Sequence, residues 1–203
     1  MLKKVLVFAV LAALAVAARP SMAASPDEAE RFVQTLADGA IATAADKALS
    51  QDERDARFRR LFVSGFDLPE IGRFVVGRAW AAAAPEERDE FLRLFEDVSV
   101  MTWSRRFRDY RGERLKVAAA AASDGVWVVE SSVARSGGQD IPVTWRLKET
   151  EGGLKVVDIS VEGVSLAITH RSDYAAAIRS GGGKLEALLS VLRQKIEQMR
   201  AAG

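Results

Sequence analysis

The stretch from Leu154 to Gly183, LKVVDISVEGVSLAITHRSDYAAAIRSGGG, contains a change of period that decides the fold. Val157, Ile159 and Val161 alternate with Asp158, Ser160 and Glu162, the period-two pattern of a strand with one buried face. Gly163 interrupts it. Val164, Ile168, Ala175 and Ile178, with Tyr174 four before Ile178, then follow at spacings of four, seven and three, so the chain is expected to leave a sheet and return over it as an amphipathic helix. Gly181-Gly182-Gly183 reads as the stop of that helix.

Upstream of this stretch the period-two pattern continues. Four strands are expected, Leu115 to Ala122, Val126 to Arg135, Ile141 to Glu149 and Leu154 to Glu162. Their connections, Ser123-Asp124-Gly125, Ser136-Gly137-Gly138-Gln139 and Thr150-Glu151-Gly152-Gly153, are short enough to require an antiparallel meander. Alternation puts Trp127, Val129, Ser131 and Val133 of the second strand and Val143, Trp145 and Leu147 of the third on the covered face. Val117, Ala119 and Ala121 of the first strand are small and leave room above it. Ser131, inward among apolar neighbours, needs a hydrogen-bond partner, either the backbone or the polar end of a ligand.

Before Leu115 the period is helical. Ser25-Pro26-Asp27-Glu28 has a cap, a proline for the first helical position and two acids for the positive end of the dipole, ahead of Phe32, Val33, Leu36, Ala37, Ala40 and Ile41. A second helix from about Asp52 carries Phe58, Leu61, Phe62 and Phe66. A third starts at Leu68-Pro69-Glu70 and carries Ile71, Phe74 and Val75. The longest starts at Pro85, with Phe91, Leu94, Phe95, Val98 and Phe107 on its stripe. A stripe of such large groups is stable only against another layer.

The first residues read as an export signal: Lys3 and Lys4, an apolar run from Val5 to Ala18, then Pro20-Ser21-Met22-Ala23 with cleavage expected after Ala23. The run is 14 residues, short for a membrane span. With residues 1–23 removed, Lys3, Lys4 and Arg19 go and no acid does. The remaining 26 basic and 28 acidic residues give a net charge of −2, which disfavours a nucleic-acid partner. Residues 24–203 fit one domain, with no repeat or low-complexity linker. The chain has no Cys, so it has neither a disulfide framework nor a lipoprotein attachment site.

Catalytic chemistry has little to work with. His170 is the single histidine, placed between strand and helix, and neither Cys nor a second His accompanies it, so no His-based metal cluster or nucleophile dyad is expected. No phosphate loop or nucleophile elbow occurs, and no metal or cofactor is implied. Asp158 stands in a strand but belongs to its polar face.

The run VVDISVEGVSLAITHRSDYAAAIRSGGGKLEALLSVLRQK, with Asp158, Glu162, Gly163, Val164, Ser165, Leu166 and Arg171, resembles the C-terminal signature of the MlaC-type periplasmic lipid-binding proteins, the toluene-tolerance family of ABC-transport auxiliary proteins. A weaker likeness extends through FDLPEIGRFVVGRAWAAAAPEERDEFLRLF, which has Gly77, Arg78 and Trp80. Where family members often have Trp before the VVDI strand, this chain has Leu154.

Together these readings give an α+β chain in which a four-stranded antiparallel sheet is covered by N-terminal helices and a C-terminal helix pair. The resemblance implies an apolar pocket between the layers that holds phospholipid acyl chains and leaves the headgroup near solvent. Stripe and alternation then put Trp127, Val129, Val143, Trp145 and Ile159 on its sheet wall and Phe74, Phe91, Phe95 and Ile178 on its helices. The resemblance further implies a non-enzymatic periplasmic carrier between an outer-membrane lipoprotein complex and the MCE-domain protein of an inner-membrane ABC transporter. A hopanoid is the alternative cargo, and a structural envelope protein with a closed core is the alternative of another class.

Overall fold

Short polar residues set the helix starts. In the computed structural model, which describes residues 24–108, 110, 112–134 and 138–202, Ser25 caps α1 (Pro26–Ala45) in a reciprocal box. Its side chain accepts from Glu28 N, and the Glu28 carboxylate accepts from Ser25 N. Ser50 and Glu53 repeat the device at the start of α2 (Gln51–Gly65). Arg54 ties the two helices together by donating to the carbonyls of Thr43, Ala44, Asp46 and Leu49. Asp67 caps α3 (Leu68–Val76), and Gly77 separates it from α4 (Arg78–Ala82). Arg88, near the start of α5 (Pro85–Arg108), donates to the Trp80 and Ala81 carbonyls that end α4. The expected signal segment, residues 1–23, lies outside the described residues, as do Arg135, Ser136 and Gly137 around the expected second turn.

The sheet has five strands rather than four. The antiparallel order is β1 (Leu115–Ser123), β2 (Val126–Val133), β3 (Ile141–Thr150), β4 (Gly153–Val161) and β5 (Val164–Ser165). β5 is two residues long, too short for any periodicity to register, and it pairs back on Ser160 and Val161 through the tight Glu162-Gly163 turn. Both turn residues have positive φ, 52° and 80°, as a two-residue hairpin with strand-compatible twist requires. Asp67 N donates to the Val156 carbonyl, so the α2–α3 connection covers part of the edge of β4 that β5 leaves open.

Ser165 then caps α6 (Leu166–Ser180), which precedes α7 (Leu185–Ala201). Asp158, expected only to face outward, accepts from Ser165 Oγ and from Ala167 N and so fixes the strand-to-helix turn. Helix begins here four residues before His170. His170 therefore lies within α6, half-buried against the Tyr174 ring at 5.6 Å, rather than in the connecting segment.

Two β-bulges correct the alternation read from the sequence. Between Val117 and Ala119 the register of β1 against β2 shifts, and Ala120, not Ala119 or Ala121, packs with the inward residues. Between β3 and β4, Arg146 opposes Asp158 while Leu147 opposes Val156, so the extra residue Val157 turns the strand over and Val156 becomes fully buried. Each bulge changes which face the following residues occupy and adds local bend and twist.

The helices divide between two apolar cores. One is helical: Ile71 and Val75 of α3, Phe91, Phe95 and Val98 of α5, Tyr174 and Ile178 of α6, and Leu188, Leu189 and Leu192 of α7. The other joins Ala29 and Val33 of α1 to Val129, Leu147 and Val156 of the sheet. Of the expected C-terminal helix pair, α6 reaches the sheet at β4, whereas α7 packs on α5 and α6. Among the described residues, every buried side-chain nitrogen or oxygen has a hydrogen-bond partner.

Candidate functional site

Cross-strand rows show where the sheet is covered and where it is open. Ala122, Trp127, Leu147 and Val156 stand in register at one end, and Ala120, Val129, Trp145 and Ile159 come next. Then come Val117, Ser131, Val143 and Val161, and finally Leu115, Val133 and Ile141. The N-terminal half of α1 closes the first rows through Ala29 and Val33, both at 0% exposure. Its C-terminal half stands off from the last rows. The space between is an apolar cavity of ≈ 360 Å³, near the low end of the roughly 300–1,000 Å³ usual for ligand pockets.

The floor of this cavity is Leu115, Val133, Ile141, Val143, Trp145, Ile159 and Val161. The roof is Leu36, Ala37, Ala40 and Ile41 of α1, Phe58, Leu61 and Phe62 of α2 with Phe66 just beyond it, and Val100, Trp103 and Phe107 of α5. The Phe58 and Phe107 rings lie 4.9 Å apart, and Phe62 and Phe66 lie 4.5 Å apart, so aromatic pairs fix two of the walls. Arg59 holds α2 to α5 through Glu96 and Asp97. Ser131, the polar member of a floor row, donates to the Val143 carbonyl at 2.8 Å and accepts from Trp145 Nε1–H at 3.0 Å. Its hydroxyl is thus engaged by the protein, it fixes the Trp145 ring, and the floor stays apolar.

Three of the nine residues expected to line a pocket do line this cavity: Val143, Trp145 and Ile159. Val129 is fully buried one row away against α1, and Trp127, at the closed end, donates from Nε1 to Glu149 at 3.0 Å. Phe91, Phe95 and Ile178 belong to the helical core, where Phe91 and Phe95 are stacked at 5.7 Å. Phe74 is 43% exposed beneath the Arg171 guanidinium. Nine residues turn a helix by about two and a half turns. Val100 therefore points away from Phe91, and one long helix serves both the helical core and the cavity. Of the roof residues that sequence reasoning left out of the pocket, those of α1 and α2 and Phe107 stand on the apolar stripes read from the sequence, with Ala37 and Ala40 as small positions between large ones, whereas Val100 and Trp103 stand on none.

A wider hollow of ≈ 910 Å³ lies between α1 and α2, with Arg57, Arg59, Arg60 and Glu96 on its rim. It is open to solvent, so an apolar chain laid in it would keep part of its surface in water. The signature residues act as scaffold. Arg171 donates to the Phe74 carbonyl and covers the Phe74 ring, and Gly77 leaves the space its guanidinium needs.

The family model for MlaC protein matches residues 34–194. The chain belongs to the MlaC family. Among solved structures it is similar, with a TM-score of 0.74, to a phospholipid-binding protein from Ralstonia solanacearum in complex with a phospholipid. The two are 23% identical, and the match covers 85% of this chain and 98% of that one, a likeness of fold. No curated protein matches the chain. In this MlaC-family chain, the matched residues take in the whole cavity lining.

Proposed function

We propose that residues 24–203 form one lipid-binding unit that takes phospholipid acyl chains into the cavity between α1, α2, α5 and the sheet. The observation that carries this reading is the cavity itself, apolar on every side but one end. Family membership and the phospholipid held by the Ralstonia protein support the same cargo. At ~0.8 kcal/mol per buried methylene, a chain of about 16 carbons gains on the order of 12 kcal/mol on leaving water, less the cost of ordering it. An enclosed apolar space is the form of site that retains that gain.

The function is non-covalent carriage rather than catalysis, and it needs no cofactor. In this reading residues 1–23 direct export and are removed, and the protein works in the periplasm. It passes lipid between an outer-membrane lipoprotein complex and the MCE-domain protein of an inner-membrane ABC transporter. The test is extraction from vesicles. Delipidated protein spun with phosphatidylethanolamine vesicles should leave the pellet carrying phospholipid in a defined molar ratio. Folded protein that takes up none would overturn the reading, and preferential uptake of a polycyclic hopanoid over phospholipid would change the cargo.

A further inference from the structure

The polar end of the cavity is formed by Arg106 in the last turn of α5 and by Tyr110 and Glu113 beyond it. Of the lining residues, Arg106, Tyr110 and Glu113 carry the polar side-chain ends apart from the indole N–H groups, and they follow one another along the chain. Arg106 is the one exposed residue of the whole lining. Its guanidinium carbon lies 5.1 Å from the Trp103 ring centroid, and Trp103 also lines the cavity. The adjacent Arg105 is in use, donating to the Met199 carbonyl. Glu113 is engaged with another group of the chain. Among the described residues Arg106 has a ring beside it and neither a hydrogen-bond acceptor nor an ion-pair partner.

We infer that Arg106, held against Trp103, is the positioning residue for the lipid headgroup and takes its phosphate at the mouth of the cavity. This rests on the carrier reading above. Acyl chains lodged among Phe58, Phe107 and Val143 put the glycerol and phosphate of the same molecule at the polar end, because the other walls offer them no partner. A guanidinium is planar, permanently charged and able to give two parallel N–H bonds to a phosphate. Stacking on an indole fixes that plane while leaving the N–H edge open. The apolar walls accept any chain, whereas Arg106 distinguishes a phosphate-bearing lipid from a neutral one.

The experiment compares two lipids with identical acyl chains, phosphatidylethanolamine and diacylglycerol, bound to the delipidated protein, with inorganic phosphate as a third probe. Arg106→Gln should weaken phosphatidylethanolamine by about tenfold, the loss of one charge-assisted contact, and leave diacylglycerol affinity unchanged. Arg106→Lys, which keeps charge but not the fork, should fall between. Equal phosphatidylethanolamine affinity in wild type and Arg106→Gln overturns the assignment. So does an equal loss of both lipids, which marks a structural role, or Arg106-dependent binding of inorganic phosphate without phospholipid, which marks a free-anion site. If wild type binds neither lipid, the carrier reading falls and this assignment with it.

Discussion

Ala40→Leu separates a ligand cavity from a loosely drawn core. Ala40 sits on the C-terminal half of α1 and faces the ≈ 360 Å³ cavity. Leucine adds three carbons to that space. In delipidated protein, burying them yields about 2.4 kcal/mol at ~0.8 per carbon, from which ordering the side chain removes about 0.5–1 kcal/mol. The remaining gain of about 1.5–2 kcal/mol should raise Tm by roughly 3–8 °C for a protein of this size. The same carbons take the place of about three methylenes of an acyl chain, so lipid affinity should fall roughly 50-fold. Val129→Leu is the contrasting change, since Val129 is at 0% exposure in the row closed by α1. There the extra methylene should cost about 1–3 kcal/mol and leave lipid affinity alone. Melting and lipid titration must be done on one delipidated preparation, because bound lipid itself raises Tm. If Ala40→Leu melts well below wild type and binds lipid as tightly, the space at Ala40 is not where the cargo lies.

Other substitutions test the frame around the cavity. Ser131→Ala removes the acceptor of Trp145 Nε1–H and the donor to Val143 O, and urea unfolding should show a loss of about 1–3 kcal/mol. Gly77→Ala puts a side chain at φ 65°, ψ −130°, with its Cβ 3.3 Å from the Arg171 guanidinium, and should cost about 1–3 kcal/mol, seen as a Tm several degrees lower. The His170 imidazole titrates below its ordinary range because burial disfavours its charged form; Lys195 adds to the effect and Asp173 opposes it. The unfolded state therefore takes the proton first. Stability from this group is complete above about pH 6.5 and is lost as pH falls toward the lower folded value. Unfolding measured between pH 7 and 5 should show that decline, and His170→Gln should flatten it without altering lipid binding, because His170 packs on Tyr174 and Phe95 away from the cavity.

Much of the frame is written locally in the chain. Ser25, Pro26 and Glu28 specify a helix start wherever they stand, and the glycine-bearing turns force the meander. A pattern such as Trp127, Val129, Ser131, Val133 survives because β2 carries no bulge of its own. What was not legible depends on registers and on partners far away in sequence. Ala118 and Val157 are ordinary strand residues, and only pairing with the neighbouring strand makes each the extra residue that turns its strand over. Phe91 and Phe107 both belong to strong stripes of α5, but which layer each meets depends on where α7 and α1 pack, and a single helix pattern does not hold that information. The cavity was legible only through resemblance, since an unfilled space leaves no mark on periodicity. Small residues at Ala37 and Ala40 are its one local sign, and they equally suit close helix packing.

The most direct measurement of the lipid-carrier reading is native mass spectrometry of protein that has never met detergent, followed by extraction and lipid analysis of the same sample. The reading predicts a population heavier than the polypeptide by the mass of phospholipid, lost on delipidation and restored by vesicles. A folded protein that shows only its polypeptide mass before and after exposure to vesicles would contradict it.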